Sequence, residues 1–318
     1  MMRKLVFLSV FAVLLAFQSC SPKAICDFAL KPKKAMYEDI ASARKTAESR
    51  YSGICHWYDS LCMGGVFRDT MIVGDSLVRL HAVFAGKKKA QGTALLIHGY
   101  GVNHFSMMYM ARVYRDSLDM NVILPDLQYH GLSGGEAVQM GWFDRLDMKR
   151  WIDVACGLWK PDFMIVHGVS MGAATTMMLS GESDLPACVR AFVEDCGYSS
   201  VWDEFYYLRN KLLLSERKLR RVDDYCARTY GWSFDEASSI NQLSKCDRPM
   251  LFIHGAEDSF VPSKFVYECY DAKTDGYKDI WVAQNAPRHA LTYHDYPVEY
   301  LARLKSFIEV AREESVLK

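Results

Sequence analysis

Ser170 sits in Gly168-Val169-Ser170-Met171-Gly172, after the apolar run Phe163 to Val166 and at the start of a helical segment opening at Met171. A strand-to-helix turn this tight pushes the serine hydroxyl into the open, and side chains at the two flanking glycine positions would collide with neighbouring elements. Orphan N–H groups and the positive dipole end of the helix suit an oxyanion at the same point. A serine hydroxyl needs an adjacent base to become a nucleophile. His289, in Ala286-Pro287-Arg288-His289-Ala290, is the candidate base, and Asp258, in His254-Gly255-Ala256-Glu257-Asp258, is the candidate acid that orients it. Asp195 is an alternative acid, since it too follows an apolar run, Arg190 to Val193; the His-Gly-x-x-Asp context favours Asp258. His98-Gly99-Tyr100-Gly101 follows the run Thr93 to Ile97 and places the backbone N–H of Tyr100 beside that of Met171 as a two-donor oxyanion hole. The chemistry such a set performs is acyl transfer through Ser170.

These residues must be positioned by a sheet. From Phe67 onward, short apolar runs alternate with longer helical segments, the pattern of an α/β fold with a mostly parallel sheet. Asp69 to Val73 and Leu77 to Ala85, joined by Gly74 and Asp75, predict an opening antiparallel hairpin. Thr93 to Ile97, Asn121 to Leu124, Phe163 to Val166, Arg190 to Val193, Met250 to Ile253 and Asp279 to Ala283 complete eight strands with helices on both faces. Helical candidates between them are His104 to Leu118, Trp142 to Trp159, Met171 to Ser180, Pro262 to Tyr270 and Val298 to Ala311. Residues 199–245 break the alternation with a two-helix insertion, a small helical lid. Val201, Phe205, Leu208 and Leu212 share one stripe of it, Ser215 is its N-cap and Gly231 its C-cap. Trp202, Tyr206 and Tyr207 either line a substrate cleft or pack the insertion, and Arg217, Lys218, Arg220 and Arg221 read as a solvated helix face.

The 318 residues carry 38 Lys and Arg against 38 Asp and Glu with no basic stripe, so the electrostatic footprint of nucleic-acid binding is missing. Ten cysteines include no Cys-x-x-Cys pair and the histidines are scattered, which removes zinc-ligand spacing and predicts no metal site. Most of the cysteines read as core thiols, with Cys55 and Cys62 a possible pair. Arg3 and Lys4 precede the apolar run Leu5 to Phe17, which is too short to span a bilayer and reads as a signal-peptide core. Residues 1–19 are therefore read as a signal peptide, 20–66 as an N-terminal tether (polar and Lys-rich from Ser21 to Lys34) with a surface helix, Ala35 to Arg50, and 67–318 as the catalytic domain.

Two resemblances follow. Phe17-Gln18-Ser19-Cys20-Ser21 resembles a bacterial lipoprotein processing site, which implies lipid attachment at Cys20 and a membrane-anchored protein of the cell envelope facing the periplasm. Ordinary cleavage after Ser21, giving a soluble periplasmic or secreted form, is the alternative. The chain order Ser170, Asp258, His289 and the two glycine-bearing loops resemble the α/β-hydrolase superfamily, and within it the bacterial lysophospholipase, cinnamoyl-esterase and serine-aminopeptidase-like group. The stretch from Pro125-Asp126-Leu127-Gln128 to Gly135, Met140-Gly141-Trp142, Asp195 to Trp202 and Tyr300 are similar to that group, over about Phe67 to Phe307. Gln128, where Arg is commoner, and Arg288, where a small residue usually precedes the His, depart from it. The resemblance implies an esterase that needs no cofactor and acts on an apolar or hydroxycinnamoyl ester. A serine peptidase of the aminopeptidase type, with Glu194 or Glu204 gripping the amine of a short peptide, and a catalytically inactive envelope binding protein are the alternatives. His98, His130, His167 and His254 read as scaffold residues beside strand-end turns.

Overall fold

A computed structural model describes residues 21–32, 37–75, 77–286 and 288–317. The predicted signal segment, Cys20 and Pro287 lie outside the described residues. Eight strands form one sheet: β1 (Phe67–Val73), β2 (Arg79–Ala85), β3 (Thr93–Ile97), β4 (Asn121–Pro125), β5 (Met164–Val169), β6 (Val189–Asp195), β7 (Met250–Gly255) and β8 (Lys278–Ala283). Their order is β1-β2-β4-β3-β5-β6-β7-β8; β2 is antiparallel to β1 and β4, and all other pairs are parallel. Every residue of β3, β4, β5 and β7 is buried, as a parallel sheet covered on both faces requires. In β3 the pleat sends Leu95 and Ile97 into one core and Ala94 and Leu96 into the other.

The strands run longer than their apolar runs at the carboxyl ends, where β5 takes in His167, Gly168 and Val169 and β6 takes in Glu194 and Asp195. These polar and glycine residues continue the ladder because neighbouring strands accept their hydrogen bonds, a tertiary effect that hydropathy does not register. The opening hairpin is looser than predicted. Leu77 is an exposed turn residue at φ +58°, and β2 begins at Arg79.

Helices α1 (Pro22–Leu30), α2 (Ile40–Arg50) and α3 (Ile54–Met63) precede the sheet. The tether expected over Ser21 to Lys34 is corrected here. Ser21 caps α1, whose Ile25, Cys26 and Leu30 are buried in the main core. Nine residues cannot hold a helix unaided; α1 forms because its apolar side has a partner in the lid, and Lys23 with the lysines that follow the helix obscured that side in the sequence. After β3 the chain makes a 3₁₀ turn (His104–Met107), a short helix α4 (Met108–Arg112) and a π turn (Val113–Ser117), where one continuous helix was predicted. Then come α5 (Asp144–Trp159), α6 (Met171–Ser180), the lid helices α7 (Val201–Lys211) and α8 (Glu216–Tyr230), α9 (Ser239–Leu243), α10 (Lys264–Ala272), α11 (Thr292–Asp295) and α12 (Pro297–Leu317). Ser215 caps α8 by accepting from the Lys218 amide, and Gly231 ends it at φ +79°. Among the described residues no helix is long and apolar enough to cross a membrane.

Candidate active site

The loops that leave the carboxyl ends of β3, β5, β6, β7 and β8 meet above the sheet, the place where open α/β sheets bind ligands. Ser170 occupies the turn from β5 to α6 at φ +59° and ψ −120°, a conformation that side-chain-bearing residues adopt only when the surroundings enforce it. The enforcement is steric. A Cβ on Gly168 would stand 1.9 Å from the Gly172 carbonyl oxygen, and one on Gly172 would stand 2.2 Å from that of Ile97. β5, α6 and β3 therefore approach as closely as backbone allows, and the Ser170 amide donates to the Asp195 carbonyl at 2.8 Å.

His289 Nε2 lies 2.7 Å from Ser170 Oγ, and His289 Nδ1 lies 2.6 Å from Asp258 Oδ2. The other carboxylate oxygen of Asp258 accepts from the amides of Phe260 and Val261 at 2.8 and 3.1 Å, so the acid is fixed before the histidine reaches it. With Nδ1 donating to Asp258, Nε2 faces the serine as an acceptor. Among the described residues no acceptor is matched with the backbone N–H of Tyr100 or of Met171, the two donors expected to hold an oxyanion.

Asp195 stands apart from this line. Its Oδ2 accepts from the Tyr300 hydroxyl at 3.0 Å, and burial pushes its carboxyl up to about 7. Tyr300 also reaches His167 Nε2, whose Nδ1 meets the Tyr114 hydroxyl. His98 accepts from the Leu127 amide and bonds the Gly99 carbonyl, while His130 accepts from the Gly101 amide and bonds the Gln128 carbonyl. Together these two rings brace the loop that carries Tyr100. His254 bonds the Val261 carbonyl behind Asp258. Burial pushes all four of these histidines below the usual range, His130 and His167 to about 3, so they stay neutral scaffold groups. Gln128 donates to Asp147, and Arg288 pairs with Asp295, away from the serine.

His81 and His104, not singled out in the sequence, both hold Asp126. That carboxylate accepts from the two Nδ1 atoms and from the amides of His104 and Leu132. Burial alone would raise its pKa, but the hydrogen bonds from the two histidines outweigh it and hold the carboxyl well below the usual range. With its oxygens already engaged by four donors, the cluster reads as a scaffold knot of the loop after β4 rather than a metal centre.

Two cavities open from Ser170, and Tyr100 and Phe260 border both. One, of about 260 Å³, runs beneath the lid between Phe28 of α1, Phe205 and Leu208 of α7, Leu212 just after that helix, and Leu219 of α8, with a wall that is almost entirely apolar. The other, of about 550 Å³, runs toward α2 and past His289, with Glu38, Thr46, Arg50 and Tyr51 in its wall. The substrate contacts expected of Trp202 and Tyr206 are corrected. Neither borders the apolar arm; Trp202 lies beneath the Arg220 guanidinium and Tyr206 beneath that of Arg209. The helical repeat explains the difference, since residues 201, 205, 208 and 212 share one face and residues 202 and 206 are turned about 100° from it. Phe28 and Ile25 of α1 also border this arm. The apolar spacing of Ile25, Ala29 and Leu30 was the available signal for them, and it is only two turns long.

No protein-family model matches the chain. It is similar to the uncharacterized protein YqkD of Bacillus subtilis, 25% identical over 220 residues that cover 68% of this chain and 71% of the relative. It is also similar to the mouse alpha/beta hydrolase domain-containing protein 17C, 24% identical over 68% of this chain; the match spans 59% of that protein's length, under two-thirds of it. Among solved structures, the Pyrococcus furiosus esterase Pf2001 superposes with a TM-score of 0.61 at 22% identity, covering 76% of this chain and 91% of the esterase. With its strand order, its serine turn and these likenesses, the chain has the α/β-hydrolase fold.

Proposed function

We propose that the protein is a serine hydrolase that cleaves a carboxylic ester with an apolar acyl group through an acyl-enzyme on Ser170. The observation that carries this reading is the unbroken line Ser170 Oγ, His289, Asp258, with separations of 2.7 and 2.6 Å, at the mouth of an apolar arm. His289 takes the Ser170 proton as Oγ attacks the ester carbonyl, and Asp258 stabilises the imidazolium. The amides of Tyr100 and Met171 hold the developing oxyanion. As the tetrahedral intermediate collapses, His289 Nε2 returns its proton to the leaving alcohol, which departs by the polar arm, and the acyl chain stays in the apolar one. Water then attacks the acyl-enzyme with His289 again as base and leaves the acid and free Ser170.

The peptidase reading gains less support. A paired carboxylate would be needed for an amine, but Glu194 is buried away from both cavities and accepts from the Gly197 amide. Glu204 alone borders the apolar arm. The binding-protein reading gains none from a serine, base and acid in mutual contact. A panel of p-nitrophenyl esters of increasing acyl length, run against aminoacyl anilides with Ser170→Ala as the blank, tests the proposal. Ester turnover that rises with acyl length supports it, and turnover confined to the anilides overturns it. The lipid on Cys20 and the cell-envelope location remain part of the proposal and rest on the sequence around that cysteine.

A further inference from the structure

The apolar arm contains a carboxyl group with no partner. Glu204 of α7 is 3% exposed and borders the arm together with Ser170, yet among the described residues neither of its carboxyl oxygens has a hydrogen-bond partner. Other polar groups of the wall are engaged. Tyr100 donates to the Ala29 carbonyl and Tyr198 to the Met140 carbonyl. Arg209 donates to the Leu214 carbonyl and lies 3.8 Å over the Tyr206 ring, with Nε left unmatched. An unsatisfied buried polar group costs stability. Beside Glu204 the apolar stripe of α7 is Val201, Phe205 and Leu208, continued by Leu212 just after the helix, and an aliphatic residue there would pack without that cost. A bound molecule that supplies the missing hydrogen bonds accounts for a carboxyl here.

The environment narrows the chemistry of that molecule. Burial first, and the charge of Asp258 second, push the Glu204 carboxyl up to about 8, so near neutrality it carries a proton and presents a donor and an acceptor together. A hydroxyl matches that pair. An ammonium would require Glu204 to ionise and two charges to leave water, and desolvation offsets much of what such a buried pair gains.

We propose that Glu204 is the specificity-determining residue of the acyl arm and hydrogen-bonds a hydroxyl on the acyl chain, so that the preferred substrates are esters of hydroxylated acids. This inference rests on the ester reading above. A site built to bond a substrate hydroxyl discriminates strongly against the analogue that lacks it, because its own polar group is then left unpaired.

The test uses p-nitrophenyl esters of equal chain length, unsubstituted, amino-substituted, or with a hydroxyl moved along the chain one carbon at a time. Wild type should show kcat/KM at least about tenfold higher for one hydroxyacyl position than for the unsubstituted ester. Glu204→Leu should reverse that preference, while Glu204→Gln, whose amide still donates and accepts, should keep most of it. Equal kcat/KM across the series in wild type, a preference for the amino-substituted esters, or a hydroxyl preference that survives Glu204→Leu would each overturn the proposal. The wild-type comparison stands even if a variant fails to fold. Calorimetric titration of Ser170→Ala protein with the free hydroxy acids and their unsubstituted counterparts separates the two claims. Tighter binding of a hydroxy acid without any ester turnover would sink the ester reading and leave the role of Glu204 standing; equal binding would sink the role of Glu204.

Discussion

Replacing Gly172 with Ala tests whether the closeness of α6 and β3 is what assembles the site. The added Cβ would lie 2.2 Å from the Ile97 carbonyl oxygen and 2.6 Å from that of His98, both backbone atoms that cannot rotate aside. Relief to an ordinary contact requires α6 to retreat from β3 by close to 1 Å, an overpacking strain of about 1–3 kcal/mol. For a chain of this size that lowers the melting temperature by several degrees. The same retreat separates the two proposed oxyanion donors, because Met171 rides on α6 and Tyr100 on the loop after β3. A misplacement of about 1 Å typically costs on the order of 10²-fold in rate. Ester turnover by the folded variant should therefore fall about a hundredfold, measured beside a thermal melt and a circular dichroism spectrum. Gly157→Ala in α5 is the control, since nothing lies within 4 Å of its added Cβ; it should leave kcat unchanged and stability equal or higher by up to about 1 kcal/mol. Turnover by Gly172→Ala within threefold of wild type, with an unshifted melt, would refute the reasoning.

Asp258→Asn should reduce kcat by about 10⁴, since it removes the acceptor that sets the tautomer of His289, and Asp195→Asn should reduce it far less; steady-state kinetics that rank them the other way would exchange their roles. Asp144 and Asp195 are pushed up to about 7 and Glu194 and Glu204 to about 8, each chiefly by burial. Folded, these four carboxyls hold protons that the unfolded chain releases between about pH 4 and 8, and their stabilisation, fully present below pH 4, is lost as pH rises through 7 to 8; the buried His98, His130, His167 and His254, held below the usual range, act in the opposite sense below about pH 6.5. Chemical denaturation should show stability declining from about pH 6.5 to 8, where the carboxyls outweigh the histidines, and Asp144→Asn should flatten that slope. The low pKa of Asp126 acts in the opposite sense below about pH 4, outside this window. In a bacterial host, Cys20→Ala should move the protein from the membrane fraction to the soluble fraction or leave an unprocessed precursor; a wild-type protein whose mature mass shows no acyl chains would discard the anchor.

The serine turn and both partners were legible because their requirements are local. Glycines at positions 168 and 172 announce a backbone contact, and the contacts of 1.9 and 2.2 Å are the reason no other residue serves. The central strands were legible for a similar reason, since burial on both faces leaves an uninterrupted apolar run such as Thr93 to Ile97. The walls of the cleft were harder to read. Phe28 belongs to a nine-residue helix stabilised by the distant α8 and by bonds such as Tyr230 to Asp27 and Val138 to Leu30, none of which leaves a local pattern. Trp202 and Tyr206 were favoured on residue type, whereas the stripe of Val201, Phe205, Leu208 and Leu212, visible in the same segment, identified the side that borders the arm. Glu204 was read only as a candidate amine ligand of the peptidase alternative, because burial without a partner is a property of the assembled cavity.

Covalent trapping tests the central claim most directly. An activated serine reacts with a fluorophosphonate because its base removes the hydroxyl proton as phosphorus is attacked. Wild-type protein treated with such a probe should gain one phosphonyl adduct by intact mass, mapped by peptide sequencing to Ser170, and His289→Ala should label far more slowly under the same conditions. An unmodified wild-type protein, an adduct on another residue, or equal labelling of His289→Ala would contradict the account.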